Sequence, residues 1–263
     1  MMIFDYFSIP ASYFFIIGTC IGSFLNVCIY RIPEKNSIVT PGSYCPACKK
    51  SIPFYCNIPI LSYAFLKGRC KFCLTPISLR YPFIEILTGI FAVMLFHKFG
   101  MGSAMVFWFF FISVLITISF IDMDHQIIPD IISLPGILIF ASSFYFLPEM
   151  DFTDTLLGII IGGGSLYAVA FLYFLIKKQE GMGGGDIKLL AMIGAATGIK
   201  GVFFTIFAGS LLGTFFGILI MIYTRIADSK LKIPFGPFLS LGAVIYIFFG
   251  EQLILWYLAM LRP

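Results

Sequence analysis

Charged residues are scarce in this chain. Of its 263 residues, 11% are Asp, Glu, Lys or Arg, 60% are hydrophobic, and the mean hydropathy is +1.00. Soluble domains carry charge on about 25% of their residues, so a soluble fold of this size would lack the polar surface needed to cover itself. This excludes a soluble enzyme, a nucleic-acid-binding protein and a secreted disulfide scaffold. The sequence instead predicts a polytopic protein whose main partner is the lipid bilayer.

Histidine is also scarce, and two common hydrolase motifs are missing. His97 and His125 are the only histidines, and the chain contains neither HExxH nor GxSxG. These absences exclude the zinc-peptidase helix and the serine nucleophile elbow.

Long apolar runs are abundant, with 32 Phe in the chain. Their length indicates α-helices, because β-barrel strands would be segments of about 10 residues with alternating polarity. The runs lie at 12–30, 82–97, 103–121, 131–147, 155–176, 187–198, 201–224 and 236–258. The sixth is short and rich in small residues, which favours a tightly packed span or a half-helix. We therefore expect an all-α polytopic membrane protein with about eight transmembrane helices.

The basic residues predict the orientation. If segment 31–80 is cytoplasmic and all eight runs span, every Lys and Arg except Lys98, Lys200 and Arg262 faces the cytoplasm. This bias follows the positive-inside rule, and the opposite loop 148–154 carries three acids and no base. Both termini are then expected to face outward. The net charge of +4 reflects this topology and does not indicate a nucleic-acid partner.

The only sizeable polar segment, 31–80, contains two CxxC pairs separated by 21 residues, Cys45 with Cys48 and Cys70 with Cys73. This spacing matches a structural zinc site with four thiolate ligands. A disulfide framework and a thioredoxin-like redox pair are the alternatives, but a reducing cytoplasm and the lack of a βαβ pattern disfavour them. We expect three parts: a first helix (1–30), a small cytoplasmic zinc domain (31–80) and a seven-helix membrane domain (81–263).

Three acidic residues lie at the cytoplasmic ends of predicted spans. Asp122 and Asp124 end the third span, and Asp186 opens the sixth. Ionisable groups at membrane depth are candidates for function because their desolvation is costly. Two carboxylates from different helices could share one proton, with one acting as general base and the other polarising a peptide carbonyl. Gly183, Gly184 and Gly185 lack side chains and would let an extended substrate backbone approach.

Other interpretations of these residues stay open at this level. Asp122, Asp124 and Asp130 could simply cap helices, and Asp130 is placed like an N-cap. The glycine run lacks the spacing of a phosphate-binding loop. Composition alone leaves a protease and a membrane transporter or channel, whose aspartates couple to cations, about equally supported.

Several segments together resemble the bacterial type IV prepilin peptidase family. They are GSFLNVCIYRIP, the two CxxC pairs, NIPILSY followed by LKGRC, SLRYPFIEILTG, IDMDHQIIPD and GMGGGDIKLLAMIGA, in that order over residues 18–200. The resemblance implies an inner-membrane enzyme whose active site faces the cytoplasm and whose substrates are prepilins or pseudopilins. It implies cleavage of a basic leader after glycine, followed by methylation of the new N-terminal residue, usually Phe, from S-adenosylmethionine. The family's catalytic aspartates match Asp122 and Asp186.

The methyl-donor site is harder to place, because no glycine-rich S-adenosylmethionine loop of the Rossmann kind is visible. The polar segment 31–80 is the only mass that could cover a charged donor, so we expect the site between this segment and the cytoplasmic ends of the second and third predicted spans, near Arg80 to Gly89 and separate from the dyad. Glu85 and Gly89 are the candidate donor-binding residues. A structural ion pair of Glu85 with Arg80 or Arg31 is the competing interpretation, and the sequence favours it.

Overall fold

The computed structural model describes residues 11–179, 183–224 and 234–260. Within these ranges the chain is helical and forms no strand beyond two isolated β-bridges. The helices are α1 (Ala11–Arg31), α2 (Leu61–Phe65), α3 (Arg80–Phe99), α4 (Ser103–His125), α5 (Asp130–Phe140), α6 (Ser143–Phe146), α7 (Phe152–Lys177), α8 (Gly184–Thr224) and α9 (Gly236–Met260). The all-α class is confirmed. Residues 1–10, the start of the GMGGGDIK motif, and Arg225, Lys230, Lys232 and Arg262 lie outside the described ranges.

Six of the described helices are long and apolar enough to cross a membrane, rather than about eight. They are α1, α3, α4, α7, α8 and α9. The predicted fourth span, 131–147, is divided into α5 and α6, and α5 has 11 residues. At 1.5 Å per residue this helix is about 16 Å long, roughly half of the hydrocarbon thickness. The predicted sixth and seventh spans both belong to α8.

Gly198 interrupts α8 and explains why the sequence indicated two runs there. Its φ of 67° and ψ of −170° are not helical, so the helix breaks at this residue. Glycine adopts such a positive φ without steric cost. The part of α8 before Gly198 is about 21 Å long, shorter than the hydrocarbon core, which agrees with the short run predicted at 187–198.

The chain separates into two compact units, residues 1–113 and 114–263. In the first unit α1 packs closely against α3 through small residues. A Cβ on Gly18 would lie 2.7 Å from the Cα of Gly89, and a Cβ on Gly22 would lie 2.7 Å from the Cα of Glu85. Small residues are what allow two helix backbones to approach this closely. The division at residues 30 and 80, which rests on polarity, stays a prediction.

Glycines also set the helix packing of the second unit. Where α7 crosses α8, a Cβ on Gly158 would overlap the carbonyl of Gly194, and the reverse is also true. A Cβ on Gly242 of α9 would lie 3.0 Å from the Thr205 carbonyl of α8. Nearby, the buried Ser143 hydroxyl bonds to the Thr155 hydroxyl at 2.8 Å and the Ala195 carbonyl at 2.9 Å. These contacts fix α8, whose first turn carries Asp186.

Candidate active site, metal centre and cavity

Asp122 and Asp186 are brought together from two helices of the second unit. Asp122 lies in the last turn of α4 and is 5% exposed, and Asp186 lies in the first turn of α8. Ile128 connects their surroundings: a Cβ on Gly185, next to Asp186, would lie 2.9 Å from its Cβ, and a Cβ on Gly236, whose N–H bonds to Asp122, would lie 3.3 Å from its Cδ1. Asp124, two residues beyond Asp122, is exposed instead. Burial therefore distinguishes Asp122 from Asp124 within the IDMDHQIIPD motif, a difference that composition and spacing alone do not indicate.

A third element contacts this pair, and sequence reasoning missed it. The backbone N–H of Gly236, at the start of α9, donates to Oδ2 of Asp122 at 3.0 Å. The feature of the sequence that marks this backbone donor is a glycine between Phe235 and Pro237, at the start of the last apolar run. That signal is weak because a backbone donor has no side chain to identify it.

Two of the three glycines before Asp186 have free space around them, and the third is packed. Gly183 and Gly184 are exposed, and a Cβ at either position would meet no described atom within 4 Å. A Cβ at Gly185 would lie 2.9 Å from the Cβ of Ile128, so that position is packed. The backbone of Gly183 and Gly184 is accessible to a polypeptide, whereas Gly185 lies against the residues beside the dyad.

Asp130 has a different place from the one expected. The N-cap of α5 is Pro129, which makes no side-chain cap bond, and Asp130 is the first residue inside the helix. Its Oδ1 accepts a hydrogen bond from Nζ of Lys188 at 2.6 Å. Asp130 therefore links α5 to the first turns of α8 instead of capping its own helix.

The four cysteines of the CxxC pairs form one cluster. Cys45, Cys48, Cys70 and Cys73 place their sulfur atoms within 4.8 Å of one another, and the sulfurs of Cys45 and Cys73 are 3.8 Å apart. Such a cluster can hold a metal ion. Cys20, Cys28 and Cys56 lie outside it.

The two CxxC turns share one backbone hydrogen bond and one backbone conformation. Lys49 N–H bonds to the Cys45 carbonyl, and Leu74 N–H bonds in the same way to the Cys70 carbonyl. Lys49 and Leu74 also share a positive φ, of 59° and 60°. Each turn therefore presents its two thiols from one side, which brings the pairs together around a common point.

Hydrogen bonds favour the thiolate form of two cysteines in this cluster. The backbone N–H of Cys48 is the largest of the effects that lower the pKa of Cys45. Hydrogen bonds from the Thr75 side chain and backbone lower the pKa of Cys73 to about 6. Metal ions bind the thiolate form, so the local structure favours the ligand state at Cys45 and Cys73. Burial and the side chains of the neighbouring cysteines instead raise the pKa of Cys48 to about 11.

A cavity of about 410 Å³ lies in the first unit, between the polar segment, the C-terminal end of α1 and the N-terminal end of α3. This volume is within the range of about 300–1,000 Å³ that is usual for small-molecule sites. Its lining includes five aromatic residues, Tyr30, Tyr44, Tyr63, Phe72 and Tyr81. Cys45 and Cys70 also line it, so the cysteine cluster supports the wall.

Glu85 lines this cavity and is 7% exposed. Its Oε2 accepts the backbone N–H of Ile60 at 2.7 Å. Arg31, one proposed ion-pair partner, instead donates to the carbonyls of Ser37 at 2.9 Å and Gly42 at 3.1 Å. Gly89 does not line the cavity; it lies in the contact between α3 and α1, where a Cβ would meet Phe15 at 2.8 Å.

Comparisons with known proteins identify the family of the chain. Residues 16–99 match the bacterial peptidase A24 N-terminal domain, and residues 109–218 match the type IV leader peptidase family. A prepilin leader peptidase/N-methyltransferase of Pseudomonas aeruginosa is 35% identical over 92% of this chain and 91% of its own length. The Neisseria gonorrhoeae protein of the same name is 35% identical over 88% and 87%. No solved structure matches the chain significantly.

Proposed function

Because this chain belongs to the type IV leader peptidase family, we propose that it cleaves the leader peptides of prepilins or pseudopilins and then methylates the new N-terminus. The peptidase is an aspartic endopeptidase that uses Asp122 and Asp186. One observation supports this assignment above the others: two carboxylates from separate helices are carried to the same residue, Ile128, and one of them is buried.

The pair can carry out hydrolysis without a covalent intermediate. Two carboxylates within coulombic reach do not both ionise readily, so they hold one proton between them. The ionised carboxylate removes a proton from water, and the protonated one donates to the carbonyl oxygen of the peptide bond. The burial of Asp122 keeps bulk water away and strengthens these electrostatic effects.

The substrate backbone is expected to lie along Gly183 and Gly184. Gly185 is packed against Ile128 and would lie behind the substrate. The open space at the first two glycines supports this placement. An extended peptide could then pair with exposed backbone N–H and C=O groups. The basic residues near segment 31–80 support a cytoplasmic site in the bacterial inner membrane, where a basic leader would enter.

The cysteine cluster is proposed to hold structural zinc. A tetrahedral site with Zn–S distances of about 2.3 Å places its sulfur atoms about 3.8 Å apart. The separation of 3.8 Å between the sulfurs of Cys45 and Cys73 fits this geometry. Four thiolates leave no coordination position for a reactant, so the metal would stabilise segment 31–80 and the cavity wall rather than take part in cleavage.

The methyl donor, S-adenosylmethionine, is proposed to bind in the cavity that Glu85 lines. The donor carries a sulfonium and an ammonium group, and it supplies the methyl group when bound. Tyrosine rings such as Tyr44 and Tyr81 suit an organic cation, and the buried carboxylate of Glu85 suits the ammonium. Gly89 would contribute indirectly, because it lets α3 pack against α1 and so places Glu85.

A cleavage assay separates this function from the transporter or channel alternative, which the family assignment does not support. Detergent-solubilised protein is incubated with a prepilin peptide in the presence of a chelator and of serine and cysteine protease inhibitors. Cleavage after glycine that persists under all three supports the aspartate pair. Ion flux through reconstituted vesicles without cleavage would favour transport.

A further inference from the structure

The N-terminus of α9 forms part of the dyad site. Gly236 is the first residue of α9, and its backbone N–H donates to Oδ2 of Asp122 at 3.0 Å. The first N–H groups of a helix have no acceptor within their own helix. This donor is therefore available to a side chain, and the partial positive charge of the helix N-terminus favours a carboxylate there.

The contact requires glycine at position 236. A Cβ there would lie 2.7 Å from Oδ2 of Asp122 and 3.3 Å from Cδ1 of Ile128. A side chain would consequently push the carboxylate away from the N–H that holds it. Gly236 is buried, so water cannot easily replace the lost hydrogen bond.

The two aspartates differ in their surroundings. Within the described ranges the carboxylate of Asp186 accepts no backbone N–H, while that of Asp122 accepts the N–H of Gly236. Asp186 is also under the repulsion of the Asp122 charge. A hydrogen bond to the charged form favours that form, and a like charge disfavours a second ionisation. The shared proton is therefore expected on Asp186.

We propose that the amide of Gly236 fixes the roles of the two aspartates, with Asp122 as the ionised base and Asp186 as the protonated acid. The inference rests on the proposed peptidase function. With Oδ2 held by Gly236, Oδ1 of Asp122 takes a proton from water while the water oxygen bonds to the carbonyl carbon. Asp186 gives its proton to the carbonyl oxygen, which yields a diol.

The second half of the reaction restores both groups. As the C–N bond breaks, the proton on Asp122 passes to the leaving nitrogen, which becomes the free amine. One hydroxyl of the diol returns a proton to Asp186 and becomes the carbonyl oxygen of the new carboxyl group. Gly236 is a positioning residue in this scheme, because it acts on the substrate only through Asp122.

The test compares Gly236→Ala and Gly236→Pro with the control Gly242→Ala. Both residues carry a Cβ that displaces the carboxylate, and proline, which is accommodated at the first position of a helix, also removes the N–H. For both we expect kcat to fall about 10- to 100-fold, as for the loss of a hydrogen bond to a charged group, with KM nearly unchanged. The acidic limb of kcat/KM should move to higher pH, because Asp122 then accepts a proton more readily.

Gly242→Ala presses α9 against the Thr205 backbone of α8, away from Asp122. It should lower thermal stability and leave the pH profile as in the wild type. Wild-type kcat and pH profile in both Gly236 variants would overturn the proposal.

An independent measurement on the wild-type chain does not depend on whether the Gly236 variants fold. Carbon-13 NMR of the aspartate carboxyls, assigned with Asp122→Asn and Asp186→Asn, reports which carboxyl is protonated at neutral pH. We expect Asp186 to carry the proton, and a proton on Asp122 would overturn the proposal. If Asp122→Asn and Asp186→Asn both still cleave, the assignment of the aspartate pair itself fails, which is a different outcome.

Discussion

Lys188 and Asp130 form an ion pair, with Nζ and Oδ1 2.6 Å apart, that joins the beginning of α8 to the beginning of α5. Asp186 lies two residues before Lys188, so the pair restrains the turn that carries one of the two candidate catalytic carboxylates. The side chains of Lys188 and Asp130 are 36% and 58% exposed. An ion pair this exposed contributes about 1 kcal/mol or less to stability, so its main effect is expected on position.

Exchanging the two charges tests this positional role. Lys188→Asp and Asp130→Lys should each lower kcat for leader cleavage, because like charges would push the two helix starts apart. The double exchange should recover most of the lost activity, and melting temperatures should differ little among the three variants. A double variant no more active than the singles would show that the pair does not position Asp186.

Replacing either aspartate of the dyad should abolish cleavage. Asp122→Asn and Asp186→Asn each remove a proton-transfer group, an effect of about 10²- to 10⁴-fold or more. The exposed Asp124 provides the matched control, and Asp124→Asn should be much milder. Cleavage rates with a prepilin peptide give the answer, and expression with metal content shows whether each variant is folded. Substantial turnover in either dyad variant would remove that residue from the mechanism.

Replacing two cysteines of segment 31–80, one inside the cluster and one outside it, tests the structural metal site. Purified protein should contain about one zinc per chain, and Cys45→Ser should lower that content and expose segment 31–80 to proteolysis. Cys56→Ser changes a cysteine outside the cluster and should leave the metal content unchanged. Since Cys45 lines the cavity, methylation should fall more than cleavage. A metal-free segment that resists protease would contradict a structural metal site.

Glu85→Gln should separate the two activities. The amide keeps the shape of the side chain and an acceptor for the Ile60 N–H, but it removes the negative charge expected to hold the donor's ammonium. The affinity for S-adenosylmethionine and the methylated fraction of the product should fall, and cleavage should remain near wild type. Glu34→Gln makes the same change outside the cavity and should alter neither activity. If cleavage and methylation fall together, the donor does not bind at Glu85.

Gly89→Leu should act through packing. A side chain at this position collides with Phe15 and Thr19 of α1, and overpacking of this kind costs about 1–3 kcal/mol. We expect a lower melting temperature together with weaker donor binding, whereas Glu85→Gln should weaken donor binding without a change in melting temperature. Donor binding that is lost at unchanged stability would instead place Gly89 in direct contact with the donor.

Much of the architecture was predictable from local patterns. Hydropathy indicated the helical membrane class because a bilayer core demands long apolar helices. The limits of this reasoning appear at 131–147, where hydropathy indicated one span and the chain forms the short helices α5 and α6. Hydropathy averages over a window and does not register where a helix ends.

For the candidate sites, the sequence by itself determined which groups are available: the two CxxC pairs, the acids of IDMDHQIIPD and GMGGGDIK, and Glu85 on an apolar helix. Tertiary structure decided which of them meet. It buried Asp122 and exposed Asp124, brought the Gly236 amide to Asp122, and moved Gly89 from the donor site into the contact between α1 and α3. The physical reason is that side-chain chemistry is local to each residue, whereas hydrogen bonds from a distant backbone and burial arise only when separate helices pack.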